Sequence, residues 1–384
     1  MRILHTADWH LGRIFHNVPL TDDQAHVLEQ FCALARETRP DAIIIAGDVF
    51  DRAVPSQEAI ALWDETLTRL ARETAAHIVV IAGNHDSPQR LGQHARLLAD
   101  NRVHLATHFT PHPAPIVLED AHGPVLLFPL PYAEPAQARA ITENDALRAH
   151  ADVLALLMDH VREQARGARC VVAAHATVAG GEASESERPL SIGGAEAVPP
   201  ETFAGAHYVA LGHLHRPQSA GAEHIRYAGS LLKYSFAEAD HAKSISLVEL
   251  DATGTITIEP VALTPRRDVR RLSGTLEELL AAASHDPAPE DYLQVELTDP
   301  QPVYNAMERL REVYPNVLEV RRPALERLID SQAPSARAMV RTAPLELFCA
   351  FVRDMTGEEP DDAQRALLAE VVEDIERARR EAEA

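Results

Sequence analysis

The sequence has few cysteines and no long apolar run. Its 384 residues include three cysteines, Cys32, Cys170 and Cys349, which are far apart and lie in apolar patterns. Scattered cysteines in an odd number are typical of reduced thiols, so we expect no disulfide framework. No apolar stretch reaches the roughly 18 residues that suggest a membrane span. Residues 1–5 lead straight into a strand-like segment without the basic and apolar regions of a signal peptide, so we expect a cytoplasmic protein.

The chain is also poor in basic residues. Lysine and arginine number 36 against 58 aspartates and glutamates, which gives a formal net charge of −22. Proteins that hold nucleic acid by charge alone are usually basic, so this balance argues against passive, charge-driven binding. If the substrate is a polyanion, bound metal or a partner must offset the repulsion locally.

Apolar runs that alternate with helical patterns indicate an α/β domain. Residues 2–7, 42–46, 77–82 and 170–174 read as strands covered on both faces. A helix is predicted to begin at Thr21, where Thr21 and Gln24 resemble a capping box, and a second helix is predicted to begin after Ser56. Such sheets bind ligands beyond the carboxyl ends of their strands, so we expect the functional site there.

Polar residues of ligand type follow these runs and a further strand-like run at 207–211. They are Asp8, His10, Asp48, Asn84, His175, His213 and His215. Each alone has a plainer explanation, such as a helix cap or a buried structural histidine. Seven of them at five successive strand ends are not readily explained by chance. His213 and His215 are spaced i, i+2, so in an extended segment both side chains point to the same side.

The chemistry of this set predicts a two-metal phosphoester site. Carboxylate, imidazole and amide groups without thiolate suit divalent ions, and the share of oxygen favours Mn²⁺, with Mg²⁺, Fe²⁺ or Zn²⁺ as alternatives. Seven ligands are too many for one ion with open positions, and they suit two ions about 3.5–4 Å apart. A carboxylate must then bridge the pair, and Asp48, central in the series, is the predicted bridge.

The pattern changes near Pro265. Residues 266–322 predict a small α/β module that begins with a basic cluster, Arg266, Arg267, Arg270 and Arg271. These arginines are candidate phosphate contacts, with intramolecular or partner salt bridges as an equal alternative. Residues 323–343 predict a linker.

Residues 344–384 predict two helices, each with an apolar stripe. The stripe residues are Phe348, Phe351, Val352, Met355, Leu367, Leu368, Val371, Val372 and Ile375. Such a pair is too small to form a core alone. It either packs on the main domain or, as the preceding linker favours, docks on a partner helix.

The strand-end motifs resemble those of the metallophosphoesterase superfamily, in the same order. They are Asp8-Trp9-His10, Gly47-Asp48, Gly83-Asn84-His85-Asp86, His175 and Gly212-His213-Leu214-His215. Residues 5–12, 82–88, 187–191 and 211–218 are more narrowly similar to the bacterial SbcD family of nucleases, kin of the archaeal and eukaryotic double-strand-break repair nucleases. The resemblance implies a four-layer α/β/β/α sandwich with two mixed sheets over residues 1–265, a capping domain at 266–322 and a C-terminal helical pair.

The resemblance also implies roles for single residues. Asp8, His10, Asp48 and His215 would hold one ion, and Asp48, Asn84, His175 and His213 would hold the other. His85 would face the scissile phosphate and stabilise it or protonate the leaving oxygen. Asp51 stands where archaeal relatives carry a histidine, and it could hold a neighbouring histidine behind the metal site. Asp86 could orient the His85 ring, although we expect it to cap the following segment.

The SbcD family further implies a manganese-dependent DNA nuclease, with exonuclease activity on double-stranded ends and endonuclease activity on single strands and hairpins. It would work in DNA repair and recombination at the nucleoid, as a homodimer within a heterotetramer with an SbcC-type coiled-coil ATPase. The final helices would clamp the base of that coiled coil.

Two other functions stay open at this stage. One is a metallophosphoesterase for small phosphodiesters or cyclic nucleotides, and the other is a non-catalytic scaffold. The polar loop at 180–194 is long enough for a substrate loop or lid, with a plain surface excursion as the alternative.

Overall fold

The computed structural model describes residues 1–187, 197–301, 303–323 and 360–367, together with residues 346, 349 and 353. The predicted linker therefore lies almost wholly outside the described residues. Of the predicted partner-binding stripe, only Leu367 is described, and its side chain is exposed.

Strands and helices alternate over the first half of the chain. The strands are β1 Arg2–Thr6, β2 Ile14–Phe15, β3 Val18–Pro19, β4 Ala42–Ala46, β5 His77–Ile81, β6 Val103–Ala106, β7 Ile116–Asp120, β8 Gly123–Leu130, β9 Arg169–His175, β10 Tyr208–Gly212, β11 Gln218–Ala220, β12 Ala222–Tyr227, β13 Ser244–Leu250, β14 Ile256–Ala262, β15 Val269–Gly274, β16 Tyr292–Leu297 and β17 Val317–Arg321. The α-helices are α1 Thr21–Thr38, α2 Gln57–Glu73, α3 Pro88–Leu91, α4 Ala95–Ala99, α5 Pro135–Thr142, α6 His150–Ala165, α7 Leu276–Ala282 and α8 Ala306–Arg311.

Two six-stranded mixed sheets form the centre of the fold. The first has the order β14-β13-β1-β4-β5-β6, in which β1, β4, β5 and β6 are parallel. The second has the order β11-β12-β10-β9-β8-β7, in which β12, β10, β9 and β8 are parallel. Neighbouring parallel strands end at the same edge of a sheet, so the residues after β1, β4 and β5 lie side by side, as do those after β9 and β10.

Successive apolar residues of the central strands face different cores because each sheet is covered on both faces. In β4, Ile43 packs with α1 and α2, whereas Ile44 lies in the core between the two sheets. In β9, Val171 lies in that same central core and Val172 packs with α6. The layers are therefore helix, sheet, sheet and helix, which confirms the predicted α/β/β/α sandwich.

Helices α1 and α2 begin at the predicted positions, but only α2 is capped as predicted. Ser56 Oγ accepts a hydrogen bond of 3.2 Å from the backbone N–H three residues on, and α2 begins there as predicted. Helix α1 begins at Thr21, but the capping-box prediction is wrong. Gln24 is buried, and its side-chain amide donates to the carbonyls of Trp9 at 3.1 Å and His10 at 2.7 Å. It holds the loop after β1 instead of the helix end.

The chain after residue 265 continues as β15, α7, β16, α8 and β17, an α/β arrangement as predicted, with strand order β15-β16-β17. Contacts between Cα atoms divide the protein into two units. One comprises Met1–Val295 and Gln301–Val320, and the other comprises Glu296–Pro300 and Arg321–Ala384. The domain boundaries at 265/266, 322/323 and 343/344 stay predictions.

The three cysteines are free thiols. Burial raises the pKa of Cys32 to about 11 and that of Cys170 to about 12, so both stay protonated at neutral pH and behave as apolar core groups. Among the described residues, no helix combines the length and apolarity that crossing a bilayer requires.

Candidate metal centre

The structure brings all seven candidate ligands together at the carboxyl ends of the parallel strands. Asp8 and His10 follow β1, Asp48 follows β4, Asn84 follows β5, His175 ends β9, and His213 and His215 follow β10. Asn84 is half-buried and the other six are buried. Burying so many ionisable groups is costly unless they are paired or coordinate metal, so the cluster is typical of a functional site.

The backbone at four of these positions lies in the left-handed region. The φ angles are 54° at Asp8, 44° at His10, 50° at Asp48 and 107° at His213. Residues other than glycine rarely adopt these angles, and such strain clusters at active sites and ligand clamps. Since β10 ends at Gly212 and His213 departs from extended geometry, strand alternation is not what directs the side chains of His213 and His215 to the cluster.

The ligand atoms instead form two groups. His215 Nε2 lies 3.0 Å from His10 Nε2. Asn84 Oδ1 lies 2.9 Å from His175 Nε2 and 3.2 Å from His213 Nδ1. The turn between His213 and His215 therefore places them in different groups, in line with the division that the family resemblance implies. The ligand roles themselves stay predictions.

Asp48 lies between the two groups. Its Oδ2 atom is 3.7 Å from His10 Nε2 and 3.5 Å from His175 Nε2. Ligand atoms of Asp8, His10 and Asp48 are close enough to hold one ion, and those of Asp48, His175 and His213 are close enough to hold another. Both sets include Asp48, which supports its predicted role as the bridging carboxylate.

The contacts of the cluster fit divalent metal ions. Burial lowers the pKa of His10 well below its usual value and the pKa of His213 to about 3, so both rings are neutral, which is the form that binds metal. His175 Nδ1 lies 2.9 Å from the Ala46 carbonyl oxygen. Because a carbonyl oxygen only accepts, Nδ1 carries one proton, and Nε2 is the ring nitrogen that faces the cluster and would bind an ion once its own proton has left.

Two glycines allow the strand ends to approach one another. A Cβ atom at Gly212 would overlap the carbonyl oxygen of Ala46, and a Cβ atom at Gly83 would overlap Oδ1 of Asp48. Any side chain at Gly212 would therefore separate β10 from β4, and any at Gly83 would displace the candidate bridge.

His85 is positioned by the loops around it. Its backbone N–H donates to Asp48 Oδ1 at 2.8 Å, and its ring Nδ1 donates to the main-chain carbonyl of Asp51 at 2.8 Å. The Asp51 carboxylate lies 2.9 Å from Arg13 Nη1 and 3.7 Å from His10 Nδ1. The main chain of Asp51 thus holds His85, whereas the predicted role of its carboxylate in holding a histidine stays a prediction.

Asp86 joins two of the ligand loops. Its carboxylate accepts hydrogen bonds from the backbone N–H groups of Val49 at 3.2 Å, Phe50 at 2.9 Å and Gly83 at 2.9 Å. The expectation that Asp86 caps the following segment is wrong, because Ser87 caps α3. Asp86 fixes the loop after β4 against the loop after β5, which carry Asp48 and His85.

The sequence analysis missed several buried residues behind His215. Glu238 and Ser230 are fully buried, and Lys243 is nearly so. Tyr234 stacks edge-on against His10 and His215, with ring centroids 5.5 and 5.7 Å away. The sequence does contain a pattern that could have revealed these residues. Residues 230–243 join two strands and are rich in large apolar side chains. Such a composition indicates a buried loop, in which any charged side chains must be paired.

The predicted DNA-contact arginines are largely engaged within the protein. Arg267 lies 3.6 Å from Asp23, Arg270 lies 2.6 Å from Asp291 and 3.1 Å from Asp286, and Arg271 lies 2.8 Å from Asp240. Three of the four arginines therefore form intramolecular ion pairs, which was the alternative prediction. Contact of this cluster with DNA stays a prediction.

Metal binding should strengthen as the pH rises. Burial raises the pKa of Asp8 to about 7. Burial also disfavours the charged form of His175, but the negative charges of Asp48 and Asp8 outweigh this effect and raise the pKa of His175 to about 9. A proton on either group must leave before an ion binds, so raising the pH through this range favours binding. We expect up to about tenfold tighter Mn²⁺ binding per pH unit for each proton displaced. Calorimetry at pH 6.0 to 8.5 in buffers of different ionisation enthalpy measures this, and pH-independent affinity would contradict it.

The fold and this site define a metal-dependent phosphoesterase. A sequence model of the calcineurin-like phosphoesterase family matches residues 1–217, more than half of the chain, and the chain belongs to that family. Its members are metal-dependent hydrolases that use two divalent ions. A second sequence model, SbcD_C, described as the type 5 capsule protein repressor C-terminal domain, matches residues 265–356. The C-terminal part is therefore SbcD-like.

Solved structures with similarity to the chain include three that each align with about two thirds of it. One from Thermus thermophilus is 14% identical, with 67% of this chain and 98% of that chain covered and a TM-score of 0.38. A novel archaeal phosphodiesterase is 11% identical, with 68% and 100% covered and a TM-score of 0.30. A dimetal phosphatase from Danio rerio is 12% identical, with 69% and 99% covered and a TM-score of 0.38.

Proposed function

We propose that the protein is a manganese-dependent DNA nuclease subunit that cleaves phosphodiester bonds at double-stranded ends, hairpins and single strands. The observation that carries this proposal is the placement of Asp48 between two buried histidine groups, with His85 held beside it. The SbcD-like match at 265–356 supports a nuclease over a phosphatase for small substrates, because hydrolysis of a small ester needs no such extension.

The residues present can perform phosphodiester hydrolysis with two divalent ions. One ion would be held by Asp8, His10, Asp48 and His215, and the other by Asp48, Asn84, His175 and His213. When bound, the ions supply an activated water and neutralise phosphate charge. The hydrogen bond from His85 Nδ1 to the Asp51 carbonyl fixes the ring, and in the doubly protonated form of the ring Nε2 would donate its proton to the phosphate or the leaving oxygen.

The partner is proposed to be an SbcC-type coiled-coil ATPase, with the nuclease subunits as a dimer in the complex. The predicted helices at 344–384 carry two apolar stripes suited to a partner helix. With a net charge of −22, the chain is poorly suited to hold long DNA alone, which gives such a partner a physical role.

A hairpin-ended duplex and bis-p-nitrophenyl phosphate, each with Mn²⁺, test the nuclease proposal. We expect cleavage of the hairpin by the protein alone, and degradation of a long duplex only with the coiled-coil ATPase and ATP. Turnover of the small diester without DNA cleavage under either condition would contradict the proposal and favour the small-substrate alternative.

A chain that ends at residue 343 serves as the control for the partner in the same assay. It should keep manganese-dependent cleavage of the short hairpin and lose stimulation by the ATPase. Loss of both activities would show that residues 344–384 belong to the core of the enzyme.

A further inference from the structure

The segment between β12 and β13 buries a charged pair that the proposed hydrolysis does not use. Glu238 is fully buried, and its Oε2 atom lies 2.5 Å from Lys243 Nζ, whose side chain is 5% exposed. Lys243 Nζ also donates to Ser230 Oγ at 2.9 Å and to the His215 carbonyl at 2.7 Å. A buried ion pair is weak evidence for stability, because its desolvation cost offsets the attraction. Its retention beside a candidate ligand calls for a specific role.

Glu238 reaches the His215 ring through a serine. Ser186 Oγ lies 2.6 Å from His215 Nδ1 and also hydrogen-bonds Glu238 Oε1, which is itself 3.4 Å from that nitrogen. Since a carboxylate only accepts, the Ser186 hydroxyl proton points to Glu238, and the oxygen then accepts from His215 Nδ1. This order fixes the proton of His215 on Nδ1. Nε2 is left with its lone pair, 3.0 Å from His10 Nε2.

The main chain of His215 is held by the same surroundings. Glu187 Oε1 accepts from His215 N at 2.7 Å, and Lys243 donates to the His215 carbonyl oxygen at 2.7 Å. The other group of ligands is held differently. His213 N donates to Asp8 at 2.9 Å, and His175 Nδ1 donates to the Ala46 carbonyl. Neither hydrogen bond involves Glu238, Lys243 or Ser186.

We propose that Glu238, acting through Ser186 and paired with Lys243, is a positioning residue that holds His215 in the Nδ1–H form and thereby sets the affinity of one of the two ions. That ion is the one assigned to Asp8, His10, Asp48 and His215. The proposal rests on the two-ion part of the proposed function and is independent of the DNA substrate.

Mn²⁺ titrations of the full chain by calorimetry, with bound Mn²⁺ counted by electron paramagnetic resonance, test the proposal. The native protein should bind two ions; if it binds none, the two-ion site fails as a whole. Ser186→Ala should weaken one binding event about 10–100-fold and leave the other unchanged. Glu238→Gln should act in the same way, and Ser186→Thr, which keeps the hydroxyl, should restore native binding.

An ion pair between half-buried Asp120 and buried Arg169 provides the control. Asp120 pairs with Arg169 at 2.6 Å, at the opposite end of β9 from His175. Asp120→Asn should lower the melting temperature and leave both Mn²⁺ affinities unchanged. Two native-like affinities in Ser186→Ala would overturn the proposal, as would equal weakening of both.

The position of the proton on the His215 ring can be measured directly. It would not change if Ser186 and Glu238 had a purely structural role. In metal-free protein labelled with ¹⁵N at histidine, the His215 signals should show protonated Nδ1 in the native chain. They should show a shift towards protonated Nε2 in Ser186→Ala. A native chain with the proton on Nε2 would exclude the proposed arrangement even if affinities changed.

Discussion

Replacing Asp48 by asparagine should remove both metal ions and with them nearly all hydrolysis. Asp48 Oδ2 lies within 3.7 Å of a histidine from each group, so one substitution withdraws a negative charge and a ligand oxygen from both candidate ion sites. We expect activity to fall by more than about 10³-fold, which corresponds to about 4 kcal/mol of transition-state stabilisation. Bound Mn²⁺ per chain and the rate of hairpin cleavage measure the two effects together.

Asp23→Asn is the matched control for this experiment. Asp23 is as buried as Asp48, with each 2% exposed, but its carboxylate contacts Tyr292 and Arg267. This variant should keep two ions and near-native cleavage. If Asp48→Asn loses only one ion and the other binds normally, Asp48 does not bridge and the two sites are independent.

Replacing His213 and His215 one at a time tests the two candidate ion sites separately, although both residues lie in the same turn. His213 Nδ1 meets Asn84, whereas His215 Nε2 meets His10. The sequence named both residues as candidate ligands of different ions, although strand alternation alone would point both to the same side. The backbone φ of 107° at His213 is what separates them, and no hydrophobic pattern encodes a left-handed residue at a strand end.

The layered fold was accessible from sequence for a simple reason. Strands such as β4, whose five residues are all buried, must be covered on both faces, and their polar successors must then meet at the carboxyl edge. The contacts that the sequence analysis missed join residues far apart in the chain. Gln24 serves the carbonyls after β1, and Glu238 reaches Ser186 52 positions away. Their partners are known only once the chain is folded.

His85→Ala should abolish cleavage while leaving metal binding intact. His85 is held by its backbone hydrogen bond to Asp48 Oδ1 and by its ring hydrogen bond to the Asp51 carbonyl, and alanine keeps the first of these. The Asp48 carboxylate should therefore stay in place. Loss of a proton donor in the transition state costs about 10²–10⁴-fold in rate. The measurement is a single-turnover rate on the hairpin substrate beside a count of bound Mn²⁺.

His77→Ala is the control for general effects of removing a histidine from this strand. His77 begins β5, at the end opposite to His85, and its ring contacts His104. The His77→Ala variant should bind two ions and cleave at near-native rate.

A substrate with a better leaving group than the DNA oxygen tests whether His85 is the acid. Its leaving group needs no protonation, so it should recover much of the rate in His85→Ala if His85 donates the proton. If the rate falls equally on both substrates, His85 stabilises the phosphate instead. If an ion is lost, His85 is a ligand, a role that its closeness to His10 and Asp51 allows.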